Sequence, residues 1–304
     1  MARTLVLLVL ALVAGGCGVG PGDAKSGAAQ LRVTRNFGQR DTRTDAQKDG
    51  IRESDTVMRF LQSTHKVTTR FGGGFVQSID GLQGDQAAEH DWFFYVNGSE
   101  ASVGAADYDL HSGDVVQWDY HDWAATQHIP AIVGAYPEPF LHGIRGKRLP
   151  ARVECEDDSS DACGEVGKRL KDAGVTSTNS ALGSPASDAT LRVLVGKFHA
   201  FAQLSAGKAL TLGPASSGVY ARFESGGAKL TLLDAAGHVA RDAPPGTGLV
   251  AATQQADQPI TWFVTGVDDA GVSRAASALS AGSLRNAFAV ALGPAGGPTR
   301  LPVP

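Results

Sequence analysis

Asp91-Trp-Phe-Phe-Tyr-Val-Asn-Gly98 and, ten residues on, Tyr108-Asp-Leu-His-Ser-Gly-Asp-Val-Val-Gln-Trp-Asp-Tyr120 decide how this 304-residue chain begins to fold. The first run is aromatic and β-branched and stops at Asn97-Gly98. The second passes through the turn residues His111-Ser112-Gly113-Asp114 and then alternates, with Val116, Trp118 and Tyr120 on one face. Both patterns predict adjacent antiparallel strands at the centre of a small aromatic β-domain.

Upstream, Leu31-Arg-Val-Thr-Arg-Asn-Phe37 alternates with period two and predicts a strand. Residues 39–55 are polar, with no clear element beyond a hairpin return. Ser54 or Asp55 can cap a short helix whose Val57, Met58, Phe60 and Leu61 share one side, a stripe that reads as core. Lys66-Val-Thr-Thr-Arg-Phe71 and Phe75-Val-Gln-Ser-Ile79 are strand-like runs joined by Gly72-Gly-Gly74. No Lys-Ser/Thr follows these glycines, so a hairpin turn suffices and a phosphate loop is not indicated.

Phe71-Gly-Gly-Gly-Phe-Val-Gln-Ser-Ile-Asp-Gly81, then Trp92-Phe-Phe-Tyr-Val-Asn-Gly98, then Gly113-Asp-Val-Val-Gln-Trp118 together resemble the transcobalamin-like C-terminal domain family over about residues 30–125. That resemblance implies a β-grasp-like fold and a ligand-facing edge or loop set, with no catalytic residues to carry over. In the animal cobalamin carriers a related domain closes over the corrin from one side and a helical barrel supplies the other; this chain has no such barrel.

Trp92, Tyr95, Trp118 and Tyr120 can stack on a planar or sugar-like ligand or fill a core. Tyr120-His-Asp-Trp123 follows the strand's natural end, where side chains are less committed to packing, and is the preferred rim. His121 with Asp119 or Asp122, and His128, could hold a metal or act as an acid/base pair. His121 and Asp122 would point apart in a strand, however, and no repeated spacing supports a metal site. Asn97-Gly98-Ser99 matches a glycosylation acceptor and also a tight turn, and the bacterial-style export signal favours the turn.

Four prolines and three glycines between Ile129 and Pro150 predict a linker packed along a surface. Beyond it, strands alternate with helices of 8 to 12 residues, which indicates a mixed α/β sheet. Its expected helices run from Asp161 to Ala173, Phe198 to Leu204 and Asp269 to Leu279. Thr265, Asp268 and Asp269 stand where an apolar strand meets a helix, a place where ligands collect in open α/β sheets, although an N-cap explains them as well.

Residues 1–16 have a basic start, a short apolar core and a small-residue end, the pattern of an export signal. Its position before Cys17 resembles the bacterial lipoprotein signal, which implies lipidation of Cys17; a plain secretory signal cut near Gly16 is the alternative. In an oxidising compartment the remaining Cys155 and Cys163 are expected to pair, contributing about 2.5 kcal/mol and stapling a helix start. A formal charge of −4 offers no basic stripe for a phosphate backbone, so nucleic acid is not an expected partner.

These readings converge on an α+β (α/β) protein: a signal at 1–17, a flexible tether at 18–30, a β-grasp-like domain at 31–128, a linker at 129–150 and a mixed α/β sandwich at 151–304. The expected function is non-catalytic binding of a small molecule or glycan at the extracytoplasmic face of a bacterial cytoplasmic membrane. The protein would be anchored through Cys17, need no cofactor or metal, and have an envelope protein as a second expected partner. A surface interaction or structural module and a polysaccharide-acting envelope enzyme are the two alternatives.

Overall fold

The computed structural model describes residues 25–42, 45–187, 189–256, 258 and 260–304. The expected signal, with Cys17, and residues 18–24 of the expected tether lie outside them. The rest of that tether is strand: the first strand runs Lys25–Arg35 rather than from Leu31. Its early half finds a main-chain partner, since Ala28 to Leu31 pair with Asp49 to Ala46 of the antiparallel strand Ala46–Ile51.

The two decisive runs form strands His90–Val96 and Val115–Asp122, antiparallel and in register from His90 opposite Asp122 to Val96 opposite Val116. Lys25–Arg35 lies parallel to Val115–Asp122 on the other side. Helix Val57–Thr64 crosses one face and buries Val57, Met58, Phe60 and Leu61. Thr56, not Ser54 or Asp55, is its cap, because Asp55 instead accepts from the Arg52 amide at 2.8 Å. A mixed sheet with one crossing helix is β-grasp-like.

Strand alternation gives this sheet two different faces. Leu31, Val33, Trp92, Val96, Val116 and Trp118 point to the helix and share its core. The opposite face carries Arg32, Thr34, Tyr95, Gln117, Asp119 and His121, all buried. The second half of the chain covers them. Phe288 packs edge-on against Phe37, Tyr95 and His121 at 5.3 Å each. Gln117 Nε2 donates to Asn286 O at 3.0 Å, and Arg32 Nη1 to Gly134 O at 2.9 Å.

That second half is a seven-stranded mixed sheet in the order Ser177–Ala181, Ala151–Cys155, Leu191–Lys197, Thr261–Gly266, Gly248–Thr253, Ala289–Leu292, Thr299–Leu301. The first four are parallel and the last three add antiparallel. Helices Asp161–Asp172 and Asp269–Ser277 bury Val166, Leu170, Val272 and Ala275 on one face. Helix Ser205–Leu212 and a meander led by Ala221–Glu224 and Lys229–Leu233 cover the other. The whole is an α+β architecture, β-grasp-like first and mixed α/β second.

Two local expectations shift and one holds. Phe198–Ala200 is only a 3-10 turn, and the α-helix starts after it at Ser205. The disulfide forms as expected, joining Cys155 at a strand end to Cys163 in the first turn of a helix capped by Ser160. The expected surface linker is core. Ile129 and Ile132 enter the cluster between the two regions, and Ala131, Val133, Tyr136 and Phe140 enter the one beneath the helices. Proline and glycine set its irregular path, but the apolar residues between them decide its burial.

Candidate functional site

Strand His90–Val96 has a nearly free outer edge. Among the described residues, the two-residue strand Ser99–Glu100 pairs with Tyr95 and Val96, the Ala101 amide donates to Phe94 O at 3.4 Å, and nearer its start a bridge joins His90 to Asp85. Beside that edge stands the hairpin Val67–Arg70 and Phe75–Ile79. Between them lies a cleft of about 490 Å3.

Four rings border the cleft: Phe71 and Phe75 from the hairpin, Phe93 from the strand, and Trp123 from the loop after Val115–Asp122. Phe71 is 86% exposed and Phe75 42%, with their rings edge-to-face at 6.2 Å. The hairpin tip explains the posture. Phe71, Gly72 and Gly73 have φ of 52°, 69° and 100°, a left-handed path that glycine takes without strain. A Cβ on Gly72 or Gly73 would touch nothing, so conformation rather than crowding requires them.

Asp91, Glu100, Arg70 and His128 supply the charge. Asp91 accepts from the Trp92 amide at 2.8 Å. Burial holds its carboxyl above the usual range, an effect that this bond and Arg70 partly offset. The Gly84 backbone is so close that a Cβ there would clash with Asp91 Oδ1. Burial also raises the Glu100 carboxyl, against the pull of His128, whose Nδ1 lies 3.5 Å from Oε1.

The cleft adjoins a recess of about 230 Å3 that shares Phe75, Asp91, Phe93 and Glu100 with it and is lined further by Trp92, Phe94 and Trp118. Trp92 Nε1 donates to Leu82 O at 2.9 Å. Trp118 Nε1 is buried with no hydrogen-bond partner among the described residues. Rings, acceptors and one unsatisfied donor together suit the holding of a ligand by stacking and hydrogen bonding.

The sequence candidates divide. Trp123 borders the cleft, and Trp92 and Trp118 line the recess, but both of the latter are buried and do not form an open stacking surface. Tyr95 and His121 are closed off beneath Phe288, because their strand parity turns them toward the second region. Tyr120 is half-buried outside the cleft, its Oη donating to Gln83 O at 3.2 Å. His121 Nδ1 donates to Asp119 Oδ1 at 2.9 Å, while Asp122 turns away to the Ala124 amide.

Thr265, Asp268 and Asp269 do not reach this place. Thr265 is buried and donates to Gly196 O, Asp268 caps the following helix by accepting from the Gly271 amide at 2.8 Å, and Asp269 pairs with Lys197. Asn97 is fully buried, its amide group bonded to Asp114, Gly143 and the Val115 amide, which makes Asn97-Gly98 a structural turn. Sequence reading missed Phe71, Phe75, Asp91 and Glu100 as a set. The available signal was two phenylalanines flanking three glycines, where a plain hairpin would favour polar residues.

All cleft residues before Trp123 fall within one recognisable stretch of sequence. Residues 54–122 match a domain of unknown function, DUF4430. The DUF4430 domain is linked to the transcobalamin-like and β-grasp superfamily, in agreement with its fold here. It spans the helix, the hairpin and both decisive strands but not Lys25–Arg35. No curated protein matches the chain. One of seven matching solved chains, a candidate metal binding protein from Ruminococcus gnavus, is 13% identical, with 32% of this chain and 98% of that one covered and a TM-score of 0.27.

Among the described residues, Cys155, Asp158 and Cys163 place their ligand atoms within 4.8 Å of one another, the spacing of a metal-binding cluster. Here the two sulfurs are joined to each other, and thiolate ligands would require reduction of that bond. No described helix is long and apolar enough to cross a membrane.

Proposed function

We propose that this protein is a non-catalytic binding protein that holds a small molecule or glycan in the cleft of its DUF4430 domain, exported and anchored by lipid at Cys17. One observation carries the binding reading: a cleft bordered by exposed Phe71 and Phe75 and two partly desolvated carboxylates. Proteins rarely leave such rings in water or acidic groups short of donors without a use for them. The orphan Trp118 Nε1 adds a donor that a ligand oxygen in the recess would satisfy. Export and anchoring rest on the sequence of residues 1–17.

Native mass spectrometry of the exported protein, purified gently from envelope extract, tests the proposal. A discrete added mass, lost on unfolding and absent from Phe71→Ala, is the expected result. Empty wild-type protein across repeated preparations would move the reading to a protein-docking edge, which exposure of the Phe71 ring also favours. Radiolabelled fatty acid carried by the wild type and lost in Cys17→Ala is the expected result for the anchor.

A further inference from the structure

The cleft is negative in two independent ways. Phe71, Phe75, Phe93 and Trp123 border it, and the faces of aromatic rings carry the negative lobe of the ring quadrupole. Asp91 and Glu100 add two formal negative charges, and Arg70 is the sole lysine or arginine among the bordering residues. His128, which pairs with Glu100, is largely exposed and so screened by water.

The donor supply is equally lopsided. Among the described residues Asp91 accepts one main-chain bond and Glu100 meets His128, so several acceptor sites on the two carboxylates remain for an incoming group. Burial raises both carboxyls, the state in which a nearby positive charge gains most. An anion would face like charge. A neutral sugar could use the acceptors but would draw nothing from the charge or the ring quadrupoles. A divalent metal needs several oxygen ligands together, and among the described residues no group of three ligating side chains forms here.

We propose that the cleft takes an organic cation, an ammonium group on an apolar body, with the charge between Asp91 and Glu100 and the body against Phe71, Phe75 and Trp123. This deepens the binding reading above and rests on it. The ring faces suit a methylated or alkylated ammonium, which is weakly hydrated and attracted to aromatic faces, better than a bare metal ion.

Titration calorimetry of the mature chain with benzyltrimethylammonium, benzyl alcohol and benzoate provides the test, because the three share a ring and differ in charge. The cation is expected to bind about tenfold or more tightly than the alcohol, with benzoate weakest. Glu100→Gln and Asp91→Asn should each weaken the cation about tenfold, and Phe71→Ala about fivefold, with unchanged near-ultraviolet circular dichroism showing that the variants remain folded. Equal binding of alcohol and cation, a cation affinity indifferent to both carboxylate variants, or no heat with the cation would each overturn the assignment. Recovery of a neutral or anionic bound compound that Phe71→Ala releases would sink the cation while keeping the binding reading. A bound compound that no cleft variant releases would sink both.

Discussion

The seam between the two regions and the cleft at the sheet edge both set carboxylates among aromatic rings, yet they treat them in opposite ways. In the seam, Asp119 accepts from Thr34 Oγ1 at 2.6 Å, the Phe37 amide at 2.9 Å, the Gly38 amide at 2.8 Å and His121 Nδ1 at 2.9 Å. Phe37 and Phe93 flank that histidine at 4.6 and 4.5 Å. In the cleft, Asp91 and Glu100 have few donors and stand beside rings left in water. A buried carboxylate saturated with donors fixes the turn after the first strand in place, whereas one short of donors is free to receive something else. Phe93 belongs to both places, stacking on His121 and bordering the cleft.

The contrast breaks first at Asp119. Asp119→Ala should cost about 3–5 kcal/mol by leaving several buried donors orphaned, read as a fall in the denaturant midpoint; a loss below about 1 kcal/mol would mean that the carboxylate is not what holds the seam. Next comes Phe288→Ala, which empties the space over three rings and should cost about 3 kcal/mol by the same measurement. Each loss should appear in one cooperative transition, since the seam residues share one apolar cluster with the second region.

The cleft should respond with the opposite sign. A carboxyl whose folded pKa is raised above its unfolded value binds more protons folded than unfolded in the interval between the two. Stability therefore falls as pH rises through that interval and stays reduced above it. Asp91 and Glu100 are both of this kind. Asp91→Asn and Glu100→Gln should thus stabilise the protein at neutral pH, by less than either seam loss because both groups are partly screened. The gain should vanish as pH drops below the ordinary carboxyl range. Melting temperatures across that range check it, and a loss of stability at neutral pH would place these groups with Asp119. Smallest of all, Phe71→Ala should leave stability within about 0.5 kcal/mol, since its ring is mostly solvated.

Period-two alternation made the central strands legible in sequence, and the Val57, Met58, Phe60 and Leu61 stripe made the helix so, because local spacing alone sets which face a side chain takes. It could not say what covers the second face. His121 looked like a rim, and Tyr95 like a stacking or core residue, since nothing local announces that Phe288, far along the chain, will close over them. Residues 129–150 looked superficial for the same reason: proline predicts path, and only tertiary packing predicts depth. The cleft was hidden because Phe71 and Phe75 are ordinary strand residues until a free edge is seen beside them.

The parallel pairing of Lys25–Arg35 with Val115–Asp122 also has a mechanical side. Gln30 to Arg35 are registered one for one with Val115 to Tyr120. Traction entering at Lys25 and leaving at Asp122 draws these strands past each other lengthwise, so the rungs share the load and must yield together rather than peel one at a time. A chain hauled from its first strand would meet that shared resistance along Gln30 to Arg35.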